Sequence, residues 1–168
     1  ALIIYSLRNL KYTNKNRLYA LVFLTQAALI GVFAAKDIFV FYFFFEAALI
    51  PVYMIANFWG GENSSKITIK MLIYTVFGSL FMLVAFVILY MRAQSSDIEI
   101  IKSTVGLLPV NAKNFVFWAF MLAFAIKMPI FPMHTWLPDA YSESPTPATM
   151  LLSGLLSKMG VYGLIRIL

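Results

Sequence analysis

Apolar runs of about 20 residues constrain the fold of this chain more than any other feature of its sequence. A helix needs roughly 20 predominantly apolar residues to cross a hydrocarbon core of ~30 Å. Such runs occupy 18–35, 38–59, 66–91, 115–138 and 147–168; the runs 38–59 and 115–138 contain proline, and 147–168 begins with it. The sequence therefore predicts an all-α transmembrane fold with five membrane-crossing helices, one of them discontinuous.

The composition excludes the main soluble classes of protein. Charged residues make up 12% of the chain, about half of the ~25% that is typical of a soluble domain. The sequence has no cysteine and one histidine, which excludes a disulfide scaffold, a thiolate-held cluster and an imidazole-rich metal site. We therefore expect no metal and no cofactor in this chain.

The positive charge of the chain is concentrated before its first long apolar run. Four of the thirteen basic residues, Arg8, Lys11, Lys15 and Arg17, precede that run within ten positions. This placement indicates positive-inside topology and not a nucleic-acid surface. Residues 1–17 are predicted to be the end of a preceding helix and a basic loop on the negative side of the membrane. Loops 60–70 and 138–147 should lie on that side, and loops 36–37 and 92–114 on the other.

Prolines interrupt the fourth run. A proline within a helix removes a backbone donor and clashes with the carbonyl four residues earlier, so Pro129 should free the carbonyl of Ala125. We expect a broken helix, interrupted at 127–132, whose first half of 13 residues is about 20 Å long. Lys127 would then lie well inside the bilayer, where an interruption requires cover from protein or a watery cavity.

Glu46, Lys127 and Lys158 lie near the middle of predicted spans. Each costs at least ~2.5–3.5 kcal/mol at that depth. One interpretation is a structural ion pair of Glu46 with Lys127, which leaves Lys158 unmatched. The other is a proton relay, in which movement of Glu46 switches Lys127 between holding and donating a proton. Pro51 would kink the helix beside Glu46, either for gating or for packing.

His134 follows the predicted break and has two interpretations. A histidine in this position could be bonded to a loop carbonyl, or it could pass a proton between the two buried lysines. The fifth run carries a face of small residues that suits close helix packing, formed by Ser153, Gly154, Ser157, Gly160 and Gly163.

Six motifs together resemble one family, the antiporter-like M subunits of respiratory complex I, called subunit 4 in mitochondria. The motifs are FFEAALIP at 44–51, WGGEN at 59–63, KMLIYTVFGS at 70–79, AFAIKMP at 123–129, FPMHTWLPDA at 131–140 and LLSKMGVYGL at 155–164. The resemblance covers roughly 18–168. It implies one half of an inverted-repeat antiporter-like fold, so we expect the chain to be an internal piece of a larger protein or one part of a split one.

The resemblance also implies a function and its residues. Glu46 and Lys127 would be the paired glutamate and lysine of the family, and Lys158 its bridging lysine. The chain would translocate protons, coupled to NADH oxidation and quinone reduction in other subunits, and would itself hold no redox cofactor. Its partners would be the other membrane-arm subunits, the second half of its own fold and lipids. The membrane would be the mitochondrial inner membrane or the bacterial cytoplasmic membrane.

Two alternatives remain open from the sequence. The chain could belong to an Mrp-type sodium/proton antiporter or to the membrane arm of a hydrogenase, because both share a lysine-bearing broken helix and a second lysine like Lys158. It could also be a purely structural piece that only holds helices in place.

Overall fold

The structure, a computed structural model, describes residues 14–167, and Arg8 and Lys11 of the basic cluster lie outside this range. The described residues form helices joined by short irregular segments, with one isolated antiparallel bridge between Asp37 and Asp97. The helices are α1 Lys15–Ala34, α2 Ile38–Ala47, α3 Leu49–Trp59, α4 Ser64–Ala93, α5 Ile98–Val105, α6 Val110–Lys127, α7 Leu137–Glu143, α8 Thr146–Leu151, a π-helical segment Leu152–Leu156, and α9 Ser157–Ile167.

Within residues 14–167, four helical stretches are long and apolar enough to cross a membrane. They are Lys15–Ala34, Ile38–Trp59, Ser64–Ala93 and Thr146–Ile167. The all-α transmembrane fold is therefore confirmed. The discontinuous stretch formed by α6, residues 128–136 and α7 is not among these four, so a count of five crossings stays a prediction.

The second predicted run is interrupted. Helix α2 ends at Ala47, four residues before Pro51, and α3 begins at Leu49, two residues before it. Proline has no N–H to continue the helical ladder, and the last carbonyls of any helix have no intrahelical partner. The interruption therefore leaves backbone carbonyls of α2 available to other donors inside the membrane.

The polar stretch 92–114, expected as a loop, is largely helical. Helix α5 begins after Asp97, whose side chain accepts hydrogen bonds from the N–H groups of Glu99 at 2.8 Å and Ile100 at 3.4 Å. Helix α6 begins at Val110, five residues before the predicted start. The first helix also begins earlier than expected, at Lys15.

The fifth run forms a helix that starts one residue earlier than predicted and changes from α-helical to π-helical geometry over Leu152–Leu156. The helix begins at Thr146, and Pro145 takes the capping position. The following π-helical segment adds a wide turn, in which the Ser157 hydroxyl donates to the Leu152 carbonyl at 3.0 Å. Wide turns of this kind are often found at functional sites.

The core lies between α4 and α6, with α2 and α9 packed against it. Five phenylalanines are among its most buried side chains: Phe41, Phe45, Phe86, Phe120 and Phe124. Gly160 and Gly163 allow α9 to approach α6, because a Cβ at either position would collide with Phe124 or Met128. Gly154 has nothing within 4 Å, so only part of the predicted small-residue face is used for packing among the described residues.

Polar links join the loops at each end of the helices. At one end, here called the Glu143 end (residues 60–70 and 135–147), the Gly61 N–H donates to the Glu143 carbonyl at 2.9 Å, and Lys70 pairs with Asp139 at 2.6 Å. At the other, the Asp37 end (residues 35–38 and 92–109), the Ile38 N–H donates to the Ser96 carbonyl at 2.9 Å. The loops predicted to share a side of the membrane do lie together.

Candidate functional site

Lys127 is the last residue of α6 and is buried, with 3% of its surface exposed. Its Nζ donates a hydrogen bond to the backbone carbonyl of Phe45 at 3.4 Å. The same ammonium lies 4.4 Å from the centroid of the Phe45 ring. A cation over an aromatic face is stabilised by about 2 kcal/mol or more when desolvated. Lys127 is thus held against α2 by one residue, through its carbonyl and its ring.

The carbonyl of Phe45 can accept this bond because Phe45 lies in the last turn of α2, which ends at Ala47. The Ala48 N–H donates to the Phe44 carbonyl at 3.0 Å, and the regular helix stops at Ala47. Carbonyls in the last turn of a helix require partners from outside it, and an unpaired carbonyl in the hydrocarbon core is costly. The interruption of the second span and the end of α6 therefore meet at Lys127.

Glu46 follows Phe45 directly and is half-buried. Its Oε1 atom is buried and has no hydrogen-bond partner among the described residues. The ion pairs found within residues 14–167 are Lys70–Asp139 and Arg166–Glu99. Glu46 and Lys127 therefore do not form the direct ion pair that one interpretation of the sequence required, although the carboxylate is near enough to act on the ammonium electrostatically.

The break after Lys127 is arranged differently from the sequence prediction. The Ala125 carbonyl, expected to be freed by Pro129, accepts the N–H of Ile130 at 2.9 Å, five residues ahead. This wide turn leaves the Ile126 carbonyl without the N–H that a regular helix would give it. The indole N–H of Trp136 donates to that carbonyl at 3.1 Å.

His134 lies in the irregular segment beyond the break. Its ring packs on Phe131, with centroids 5.7 Å apart, and its Nδ1 is buried without a hydrogen-bond partner among the described residues. Neither interpretation of this histidine is favoured by these contacts alone, and its part in a relay stays a prediction.

Lys158 is exposed on the surface of α9 formed by the described residues. Gly160, two residues later, faces α6, since a Cβ there would lie 3.3 Å from the Cβ of Lys127. Two residues correspond to about 200° around a helix, so Lys158 points away from Lys127. The structure therefore brings Glu46 and Lys127 together and leaves Lys158 on the opposite face of α9.

Sequence reasoning missed Phe45 and Trp136. Phe45 stands among several neighbouring phenylalanines in the sequence and nothing there distinguishes it, because its role depends on the carbonyl freed by the interruption at Ala48. Trp136 stood in a quoted motif, and a useful signal was available: a buried indole needs an acceptor, and a broken helix supplies unpaired carbonyls.

The family model described as NADH:quinone oxidoreductase/Mrp antiporter, TM, matches residues 35–168. NADH-quinone oxidoreductase subunit M of Rickettsia prowazekii is 42% identical over 151 residues, covering 89% of this chain and 31% of the relative. Subunit M of Rhodobacter capsulatus is 42% identical over 160 residues, covering 88% of this chain and 31% of the relative. The chain spans about a third of the length of these curated relatives.

Solved structures share the fold. A chain of respiratory complex I from Thermus thermophilus with bound NADH aligns with a TM-score of 0.83 and 37% identity, over 90% of this chain and 32% of that chain. A chain of the Mrp complex from Dietzia sp. aligns with a TM-score of 0.82 at 24% identity, over 89% of this chain and 16% of that chain. At that identity the second likeness shows the fold alone.

Proposed function

Because the chain belongs to the family of NADH:quinone oxidoreductase and Mrp antiporter membrane subunits, we propose that it translocates protons as part of respiratory complex I. It is an integral membrane protein of an energy-transducing membrane. NADH oxidation and quinone reduction take place in other subunits, and this chain contributes a proton step and no redox cofactor. Its partners are the other membrane-arm subunits, the remainder of its own fold and lipids.

The observation that carries the proposal is a buried ammonium without a paired carboxylate. Lys127 is bonded to a neutral carbonyl, while the carboxylate of Glu46 lies on the next residue of α2 and keeps an unpartnered oxygen. A buried charge is stable only when it is compensated. Approach of the Glu46 carboxylate favours the protonated form of Lys127, and its withdrawal favours release of the proton. The arrangement can therefore alternate between a proton holder and a proton donor.

We take the direction of transfer from the bridging role that the family resemblance implies for Lys158. Lys127 accepts its proton through the break at residues 128–136 and passes it around α9 to Lys158, which delivers it to the remainder of the fold. His134 lies in the break and assists entry of the proton. A positively charged residue exposed in the middle of an apolar helix would be costly against lipid, which supports a protein or water environment for Lys158.

The test is proton transport by the assembled complex carrying Lys127→Ala or Glu46→Gln in the full-length protein. General acid–base groups contribute about 10²-fold or more to rate, so proton uptake by inside-out vesicles and coupled quinone reduction should fall by that order. Lys113→Ala is the matched control, because Lys113 is an exposed lysine of the same helix, and it should transport normally.

Three results would contradict the proposal in different ways. Normal acidification by Lys127→Ala vesicles would exclude the relay. Sodium-dependent exchange by a purified assembly that lacks NADH-oxidising subunits would favour an Mrp-type antiporter. Normal transport after joint replacement of Glu46, Lys127 and Lys158 would leave only a structural role.

A further inference from the structure

Trp136 makes a hydrogen bond directly beside the candidate site. Its indole N–H donates to the carbonyl of Ile126 at 3.1 Å, and its side chain is buried, with 3% exposed. Ile126 is the residue before Lys127 and belongs to the last turn of α6. The bond therefore links the two ends of the irregular segment 128–136 into a closed loop of backbone.

The bond exists because α6 ends in a wide turn. In a regular helix the N–H of Ile130 would donate to the carbonyl of Ile126, but here it donates to Ala125 at 2.9 Å. Pro129 has no N–H to offer. Without Trp136, the Ile126 carbonyl would lie in the membrane with no backbone partner, and such groups are strongly disfavoured there. The end of α6 can adopt this shape because one side chain supplies the missing donor.

We propose that Trp136 is the positioning residue that fixes the Lys127 end of α6 against Phe45. If the indole donor is removed, the Ile126 carbonyl must recapture the N–H of Ile130 or stay unpaired. Either result rewinds or loosens the turn that carries Lys127, and the ammonium leaves its 3.4 Å contact with the Phe45 carbonyl. This role rests on the proposed function, since the property that is positioned is the proton step of Lys127.

The position of Trp136 also connects Lys127 to the Glu143 end. Trp136 directly precedes α7, and its own carbonyl accepts the N–H of Ala140 at 3.1 Å. Helix α7 is in turn held by the ion pair of Asp139 with Lys70. A displacement of α7 is therefore transmitted through the indole to the residue beside Lys127.

The experiment replaces Trp136 alone, in the full-length protein of the assembled complex, by two analogues of tryptophan. β-(3-Benzothienyl)alanine keeps the shape of the ring but has no N–H, whereas 5-fluorotryptophan keeps the N–H. Two readouts are compared, the number of protons moved per quinone reduced and the amide hydrogen exchange of segment 126–137. Trp118→Phe is the control, because Trp118 lies on the same helix as Lys127 and is 67% exposed.

With the benzothienyl residue we expect fewer protons moved per quinone reduced, while the Michaelis constant for quinone stays unchanged. Amide hydrogen exchange in segment 126–137 should become faster by about tenfold, the change that loss of one hydrogen bond allows. The fluorinated residue and Trp118→Phe should behave as the unmodified protein. Unchanged exchange and unchanged stoichiometry with the benzothienyl residue would overturn the role of Trp136. The exchange readout does not depend on transport, so it decides this inference even if Lys127→Ala pumps normally.

Discussion

Lys127 is held by contacts that are weaker than an ion pair. A single carbonyl at 3.4 Å and an aromatic face at 4.4 Å keep its ammonium in place. A direct buried pair with a carboxylate would fix the charge, and breaking such a pair costs about 3–5 kcal/mol. The softer arrangement suits a group that must gain and lose a proton repeatedly. At the scale of single residues, the proposed proton step therefore rests on the lack of an ion-paired carboxylate at Lys127 in the described structure.

Asp37 offers a test of residue-scale electrostatics outside the membrane spans. Its Oδ1 accepts the N–H groups of Phe39 at 2.7 Å and Val40 at 3.0 Å and caps α2. Burial by itself would raise the pKa of Asp37, but hydrogen bonds from Ser96, Val40 and Phe39 outweigh burial and hold the pKa below its ordinary value. The charged form is therefore favoured by folding.

We expect Asp37→Ala to lower the free energy of unfolding by about 1 kcal/mol, the usual loss for a removed helix cap. The contribution of the charge is complete above the pKa of Asp37 in the unfolded chain and is lost as the pH falls through its lower folded pKa. The measurement is thermal unfolding of the full-length protein in detergent from about pH 7 to about pH 3. Asp37→Asn, which still caps but cannot ionise, should lose less at neutral pH and should lack this acid-dependent part. A loss of equal size for both variants at every pH would contradict the prediction.

At the scale of elements, the glycines of α9 set the distance between that helix and Lys127. A Cβ at Gly160 would lie 2.6 Å from Cγ of Met128 and 3.2 Å from the carbonyl oxygen of Phe124. The oxygen belongs to the backbone of α6 and cannot turn aside, so the two helices must separate to admit a methyl group.

We therefore expect Gly160→Ala to destabilise the folded protein by about 1–3 kcal/mol, as overpacking does, and to slow proton transport. Gly154→Ala is the matched control, because nothing lies within 4 Å of a Cβ there, and replacing glycine within a helix stabilises by roughly 0.5–1 kcal/mol. Unfolding midpoints and vesicle acidification of both variants check the expectation. Equal behaviour of the two variants would show that α9 does not contact α6 as described.

The helices themselves were predictable from sequence, because a span must be long and apolar whatever its neighbours are. The break after Lys127 was predictable too, since proline removes a donor at a known position. Pro51 indicated a kink near Glu46, but neither the exact interruption at Ala48 nor the π-helical segment Leu152–Leu156 was predictable. Their hydrogen-bond patterns depend on tertiary neighbours. Helix α5 was missed because it is only eight residues long and lies in a polar stretch.

The candidate site likewise contains residues that the sequence could identify and residues that it could not. Glu46 and Lys127 could be identified because a charge at membrane depth is costly and therefore conspicuous. Their separation could not be predicted, since it depends on which backbone carbonyls two broken helices leave unpaired. Phe45 and Trp136 enter the site through those carbonyls.

At the scale of the whole molecule, the two ends of the helices can be distinguished by labelling. Residues 60–63 and 138–147 lie together at the Glu143 end, and residues 35–38 and 94–98 lie together at the Asp37 end. The 168 residues hold no cysteine, so an introduced cysteine is unique among them. Asn63, Ser142 and Ser103 are exposed and supply suitable positions.

We expect Asn63→Cys and Ser142→Cys to react with a membrane-impermeant maleimide from one side of the membrane and Ser103→Cys from the other. The positive-inside rule places the first two on the negative side, with Arg17. Sealed vesicles of both orientations provide the measurement, with labelling after detergent as the control for reactivity. Reaction of Asn63→Cys and Ser142→Cys from opposite sides would contradict the fold, and reaction of both from the positive side would contradict only the orientation.

The polar links at the Glu143 end and the Asp37 end have a mechanical consequence. Helices that are linked to one another at both ends bend most easily between those ends. Hydrogen bonds and ion pairs have preferred directions, whereas contacts between apolar side chains have none, so the helix tips resist rotation more than the middle of the bundle does. Glu46 and Lys127 lie between these two sets of links, so a small flexing of α2 or α6 changes the separation of their charges without breaking either set.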